Sequence, residues 1–436
     1  MCMAGQSRVF LSILLGHFMI IRLRSYFLLL LICCGGWAHA EPEEAALCKA
    51  QGYPVGTART WFMEPCVRVG SFSHHAEIPG IFGGVANAMQ AAARPLELGR
   101  VSQEPAIQWS VNGLSGLTVD DYLKRQPAMA LLIVKDGVVQ VERYQYGRSA
   151  EHRFLSNSMA KTITAMGIGI ALREGKIKSL DERADLYAPT LAGSLYGETT
   201  IRNLLRMASG AKFEEVYDGR DDLARYGAAA HNGGAAAGAK VISTRLHPQG
   251  SAFNYASAET DMLALVMRGA TGQTLSAYLE SRLWQPMGAQ SSGLWRAGSD
   301  GLERASGNFN ATAQDYARLG VLLANDGVRA DRPEFGEIIP KDFLFEATDW
   351  TRHPEAFAPK KATPYYGYGY QVWTFPSKKR RFALLGVYGQ SIFVDPEQKL
   401  VMVHLAANTK AKSNQTSMGL EVGSLWYGVV THYGSW

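Results

Sequence analysis

Phe154-Leu155-Ser156-Asn157-Ser158-Met159-Ala160-Lys161 runs without a break into an apolar stretch carrying Ile163, Met166, Ile168, Ile170 and Ala171, and the pattern stops at Gly175. The spacing predicts a helix from Ser158 to Gly175. It is apolar nearly all round, as a buried central helix is. Residues three apart share a helix face, which puts Lys161 Nζ within reach of Ser158 Oγ. A seryl hydroxyl becomes a nucleophile only with a base beside it. Burial and the positive end of the helix dipole lower a lysine's pKa, so that it is neutral part of the time and can serve as that base. The same helix start leaves unpaired backbone N–H groups near Ser158 that could hold an oxyanion. Ser-x-x-Lys recurs at Ser209-Gly210-Ala211-Lys212, but Gly210 argues against a helix and no apolar run follows. That second match reads as a loop.

Upstream, Met129-Ala130-Leu131-Leu132-Ile133-Val134 is a strand, Lys135-Asp136-Gly137 a turn, and Val138-Val139-Gln140-Val141 the returning strand of an antiparallel hairpin. Downstream, residues 178–290 read as helix and loop. Within them the Gly/Ala-rich stretch 227–238 is expected to be a mobile loop and 257–269 a helix. A further helix is predicted over 313–325. Strands follow at 368–374, 382–387, 391–394 and 400–405, with Asp395-Pro396-Glu397-Gln398 as the last turn. Strands near both ends flank a helical middle. The expected class is α+β: one antiparallel sheet built from both ends of the domain and flanked by helices, with a mostly helical insert.

The 436 residues are 47% hydrophobic and 19% charged, enough for a large core. The net charge of +5 owes three positive charges to Arg8, Arg22 and Arg24. The rest is close to neutral, so nothing asks for nucleic acid or an anionic membrane. The run Lys378-Lys379-Arg380-Arg381 reads as a solvated loop. Residues 1–40 read as an export signal: Arg22 and Arg24, a short apolar run from Tyr26 to Cys34, and the cleavage site Ala38-His39-Ala40. Starting at Met19 would give that signal a conventional length. The apolar run is too short to span a bilayer, so no stable membrane span is expected after cleavage. The expected home is a bacterial periplasm. Of the five cysteines only Cys48 and Cys66 lie beyond the signal, and in an oxidising compartment they predict one disulfide. Residues 41–108 carry Gly, Pro and polar clusters and read as an irregular N-terminal extension, leaving 109–436 as the main domain.

Gly-x-Ser-x-Gly, His-Glu-x-x-His, Walker A and Gly-x-Gly-x-x-Gly patterns are all missing, and the ten histidines are scattered. No metal or other cofactor is expected. What is present is a series. The stretch from Phe154 to Lys161, followed by Gly175-Lys176-Ile177-Lys178-Ser179-Leu180-Asp181, resembles the penicillin-recognising serine hydrolases. These are the serine β-lactamases, D,D-peptidases and related esterases and amidases. Thr200-Ile201-Arg202-Asn203-Leu204-Leu205-Arg206-Met207-Ala208-Ser209-Gly210, Phe253-Asn254-Tyr255-Ala256-Ser257, Asp315-Tyr316-Ala317-Arg318-Leu319-Gly320 and Gly386-Val387-Tyr388-Gly389-Gln390 follow in that family's order. The branch most resembled is the class C β-lactamase-like one that holds carboxylesterases and 6-aminohexanoate-dimer hydrolase.

The resemblance implies a serine β-lactamase/D,D-peptidase-like fold and an acyl-enzyme on Ser158. Lys161 is then the base. Tyr255 is a second proton-transfer group, with its phenol pKa lowered by the nearby ammonium. Ser257 becomes a supporting hydrogen-bond donor. Gln390 supplies the second oxyanion N–H, with Tyr388 and Gly389 beside it on the substrate-binding strand edge. Where β-lactamases carry Lys-Thr-Gly, this chain has Val387-Tyr388-Gly389, with no cation to meet a substrate carboxylate. That departure favours a small-molecule ester or amide lacking the carboxylate. The rivals are a β-lactamase or D,D-peptidase-like enzyme on cell-wall peptides, and a non-catalytic penicillin-binding-like scaffold. The aromatic group Tyr365, Tyr366, Tyr368, Tyr370 and Trp373 reads as strand packing, with the lining of an acyl pocket as the alternative.

Overall fold

Ala128–Lys135 is buried at every residue except the last. Its continuous apolar run has no polar face because both of its faces are covered. Leu131 and Ile133 point into one core cluster, with Leu425, Trp426 and Val429, while Leu132 and Val134 point into the other. The computed structural model describes residues 41–329 and 331–436. The expected export signal, with its cleavage site, lies outside them.

The principal sheet has eight strands: β1 (Gly99–Arg100), β2 (Ala128–Lys135), β3 (Val138–Tyr144), β4 (Gly367–Tyr368), β5 (Trp373–Thr374), β6 (Phe382–Gly386), β7 (Gln390–Asp395) and β8 (Leu400–Ala406). Their spatial order is β4-β5-β6-β7-β8-β2-β3-β1. Every pairing is antiparallel except β1 on β3. The pairing of β8 with β2 joins the end of the chain to the start of the domain, as the strand distribution predicts.

Five helices matter here: α1 (Ala160–Arg173), α2 (Asp222–Lys240), α3 (Ser257–Thr271), α4 (Ala313–Ala324) and α5 (Met418–Tyr433). One face of the sheet carries α4 and, beyond it, α1 and α3; the other carries α5. α1 is buried from Ala160 to Ala171, as its all-round apolar character requires. No helix among the described residues is long and apolar enough to cross a membrane.

Three expectations are corrected. The stretch 227–238 is not a loop but the body of α2, capped by Asp221, whose carboxylate accepts from Ala224 N at 2.9 Å. Its alanines and glycines lie against α3, where small residues permit close approach, and a kink at Gly233–Gly234 absorbs the glycine cost. Residues 41–108 are not wholly irregular. Gly83–Met89 pairs with Gly293–Gly298, and this pair continues through Phe309–Thr312 to Arg153–Leu155 as a four-stranded second sheet. The strand expected over 368–374 is two short strands, β4 and β5, joined by a turn in which Gln371 has φ of 57°. The Cys48–Cys66 disulfide is present.

Candidate active site

Arg153–Leu155 is an edge strand of the second sheet, and Ser156 N donates to Phe309 O at 2.7 Å. The chain then turns through Asn157, whose φ of 43° lies in the left-handed region, and enters α1 by a single 3-10 turn holding Ser158. The sheet edge fixes where the turn begins and the buried helix fixes where it ends. Ser158 is thereby held at the floor of a cavity of about 320 Å³.

Lys161 is 1% exposed. Its Nζ donates to Ser158 Oγ at 3.1 Å, Ser257 Oγ at 2.9 Å and Ser306 O at 2.6 Å, so all three of its N–H directions are fixed. Burial lowers its pKa to about 8, partly offset by the negative charges of Glu215 and then Asp261. The lowered pKa expected for this lysine is what the burial produces.

Ser257 opens α3. It accepts from Lys161 and donates from Oγ to Glu215 Oε1 at 2.7 Å, while its N–H donates to Glu215 Oε2 at 2.8 Å. Tyr217 OH also donates to Glu215, at 2.6 Å. One turn further along α3, Asp261 accepts from Ser306 N at 2.9 Å and from Tyr226 OH at 2.8 Å. Asp261 therefore holds the segment whose carbonyl receives Lys161. Sequence reasoning missed both acids. Asp261 had a signal, being four residues after Ser257 and so on the same helix face. Glu215 had none, because only the fold brings its loop beneath α3.

Tyr255 precedes α3, half-buried, with its ring centroid 5.2 Å from Lys161 Nζ. It stacks on Trp373 at 5.5 Å and meets Tyr368 edge-on at 6.2 Å. These two of the five aromatic residues thus brace Tyr255, and none of the five lines the cavity. The phenol pKa is not lowered as expected. Desolvation first, and then the charge of Glu215, push it well above its ordinary value, and contact with Ser158 acts the other way without overcoming them.

The role expected of Gln390 concerns its backbone N–H, and its side chain is engaged elsewhere. Its side chain is 1% exposed, and its Nε2 donates to Ala406 O at 2.7 Å and Tyr388 O at 3.2 Å. It ties β7 to β8. Tyr388, Gly389 and Gln390 do not line the cavity, whereas Val387 does. A Cβ on Gly389 would meet Met418 and Ala406, remote from the serine. A Cβ on Gly386 would lie 3.0 Å from Ser158 N and 2.6 Å from Ser156 O. Asn157 Nδ2 donates to Val387 O at 3.0 Å. The strand therefore approaches Ser158 at Gly386-Val387, three to four residues earlier than the sequence suggested. The close approach needs a residue without a side chain, which Gly386 provides.

The N-terminal segment also lines the cavity, through Trp61, Phe62, Met63 and Phe82. α2 and the loop before it add Asp221, Leu223 and Tyr226 to the lining.

Residues 118–418 match the Beta-lactamase family model. The chain is 26% identical over 285 residues to the 6-aminohexanoate-dimer hydrolase of Paenarthrobacter ureafaciens, covering 64% of this chain and 72% of that protein. Among solved structures, a Bacillus anthracis protein described as a 6-aminohexanoate-dimer hydrolase superposes with a TM-score of 0.72 at 22% identity, over 86% of this chain and 96% of its own. EstCE1, a hydrolase with promiscuous acyltransferase activity, does so with a TM-score of 0.54 at 16% identity, over 68% and 93%. The chain belongs to the β-lactamase family. It is a serine hydrolase of that family.

Proposed function

We propose that the protein cleaves a linear amide or ester through an acyl-enzyme on Ser158. The observation that carries this reading is the buried Lys161, whose Nζ lies 3.1 Å from Ser158 Oγ and whose pKa is about 8. At neutral pH a useful fraction is the free amine, which removes the seryl proton as Oγ attacks the carbonyl. Tyr255, held protonated, donates its phenol proton to the leaving nitrogen or oxygen and recovers one from Lys161. The N–H groups of Ser158 and Val387 face the oxygen that gains charge. Water then attacks the ester, the same groups return the proton to Ser158, and the acid leaves.

The relative from Paenarthrobacter ureafaciens, named for an amide substrate, supports the amide class. The turn Val387-Tyr388-Gly389 bears no cation, which disfavours penicillins and peptidyl-D-alanine. The disulfide supports folding in an oxidising compartment such as the periplasm. Intact-mass measurement after a fluorophosphonate probe, beside Ser158→Ala, tests the nucleophile. One adduct on the wild type and none on the variant is the expected result, and an unlabelled, folded wild type would overturn it. Turnover of p-nitrophenyl esters and short linear amides, set against nitrocefin, tests the substrate class.

A further inference from the structure

The N-terminal segment meets the site at more than the cavity wall. Arg68 lies two residues after Cys66, at the start of the short helix Arg68–Ser73, and is 1% exposed. Its Nη1 donates to Asn408 O at 2.8 Å and its Nη2 to Met63 O at 3.1 Å. Its Cζ stands 4.1 Å from the centroid of the Tyr388 ring. Phe62 and Phe72, from the same segment, meet that ring edge-on at 5.1 and 5.6 Å. Tyr388 has φ of 61°, in the left-handed region that a residue with a side chain keeps only where its surroundings impose it. Tyr388 N donates to Ala411 O at 2.8 Å, and Asn408 N donates to Tyr388 O at 3.1 Å. Arg68 therefore grips the ring of Tyr388 and also the residue that holds its carbonyl.

We propose that Arg68 is a positioning residue for the turn Gly386–Gln390, keeping the Val387 N–H aimed at a carbonyl on Ser158. The disulfide-stapled N-terminal segment is then part of the reacting site and not only its cover. This rests on the acyl-enzyme reading of Ser158. A guanidinium over an aromatic face is attractive, and its planar fork serves two carbonyls at once, which a lysine cannot do. Without it Tyr388 is free to leave the left-handed region, and the adjoining peptide N–H swings with it. Misplacement of a reacting-site group by about 1 Å costs on the order of 100-fold in rate. The same segment also lines the cavity, through Phe62 and Met63.

The test uses the full chain as wild type, Arg68→Gln and Arg68→Lys. Fluorophosphonate labelling to completion counts competent sites, so that turnover of a p-nitrophenyl ester is expressed per site. Hydrogen–deuterium exchange is followed across residues 382–395. Arg68→Gln is expected to lose on the order of 100-fold in kcat per site with KM little changed. Exchange should quicken over 387–390 and stay unchanged across Ala160–Arg173. Arg68→Lys should recover part of kcat, since a charge over the ring remains. Full kcat per site in Arg68→Gln, or a loss of kcat with no faster exchange at the turn, overturns the proposal. A wild type that neither labels nor turns over fails the Ser158 reading instead. The exchange measurement then decides alone whether Arg68 holds the turn, and unchanged exchange overturns it.

Discussion

Lys161 and Ser257 are joined by a 2.9 Å hydrogen bond, and through it the candidate base is tied to Glu215, which takes both the hydroxyl and the backbone N–H of Ser257. A lysine in this setting answers to two opposed influences. Burial drives off its proton, and Glu215 and Asp261 call it back. The balance near pH 8 sets how much free amine is available at neutral pH.

The first consequence is a pH profile. The free amine is the active form, so kcat/KM should rise tenfold per pH unit below about 8 and level off above it. The phenol of Tyr255, held well above its ordinary range, adds no second limb near neutrality. Replacing the base by Lys161→Met should cost on the order of 10³-fold in kcat and remove the limb. A profile measured from pH 6 to 10 on a p-nitrophenyl ester checks both.

Glu215→Gln separates charge from hydrogen bonding. The amide keeps most of the bonding to Ser257 and Tyr217 but removes the charge that holds Lys161's proton. The acid limb should therefore move to lower pH, by ~1 in pH. The plateau should fall modestly, as Ser257 is held less firmly. A limb that stays in place would show that Glu215 acts on geometry alone.

Gly386 offers a steric test of the close approach to Ser158. Its backbone is extended, with φ of −126°, so alanine meets no conformational penalty there. The added Cβ would nonetheless lie 2.6 Å from Ser156 O and 3.0 Å from Ser158 N. Gly386→Ala should push the turn off the serine, lowering kcat on the order of 100-fold while costing ~2 kcal/mol of stability. Thermal unfolding and steady-state kinetics on the same preparation check it.

How far the sequence reached follows from which contacts are local. Ser158 and Lys161 are three residues apart on one helix, so a spacing rule places them together. The strands β2, β3, β7 and β8 announce themselves by runs of apolar residues bounded by turns. The α2 helix does not, because glycine and alanine carry little periodic signal. Its stability comes from packing on α3 that no local rule sees. The strand beside Ser158 shows a different gap. Matching Val387-Tyr388-Gly389 to a family triplet pointed to Gln390. The close approach of the strand to Ser158 falls at Gly386, set by its fit against Ser156 and Ser158, residues some 230 positions earlier. Glu215 and Arg68 reach the site only through long-range folding, and nothing in their own neighbourhoods marks them.

The last prediction concerns Glu259, in the first turn of α3 and 1% exposed. Its Oε1 accepts from Ser209 Oγ at 2.5 Å, and its Oε2 has no partner among the described residues. Burial raises its pKa to about 8, with the bonds from Ser209 acting the other way. A carboxyl raised in the folded state binds a proton there that the unfolded chain releases near pH 4.5. Its contribution is therefore fully present below about pH 4.5, declines as pH rises, and is lost above about 8. The swing across that window is at most ~5 kcal/mol. Glu259→Gln carries the neutral shape at every pH. Relative to the wild type it should gain stability steadily between pH 5 and 8 and hold a constant advantage beyond. Denaturant unfolding at pH 5, 6.5, 8 and 9 measures this directly. A mutant and wild type whose stabilities run parallel across the series would mean that Glu259 titrates in the folded protein as it does in the unfolded chain.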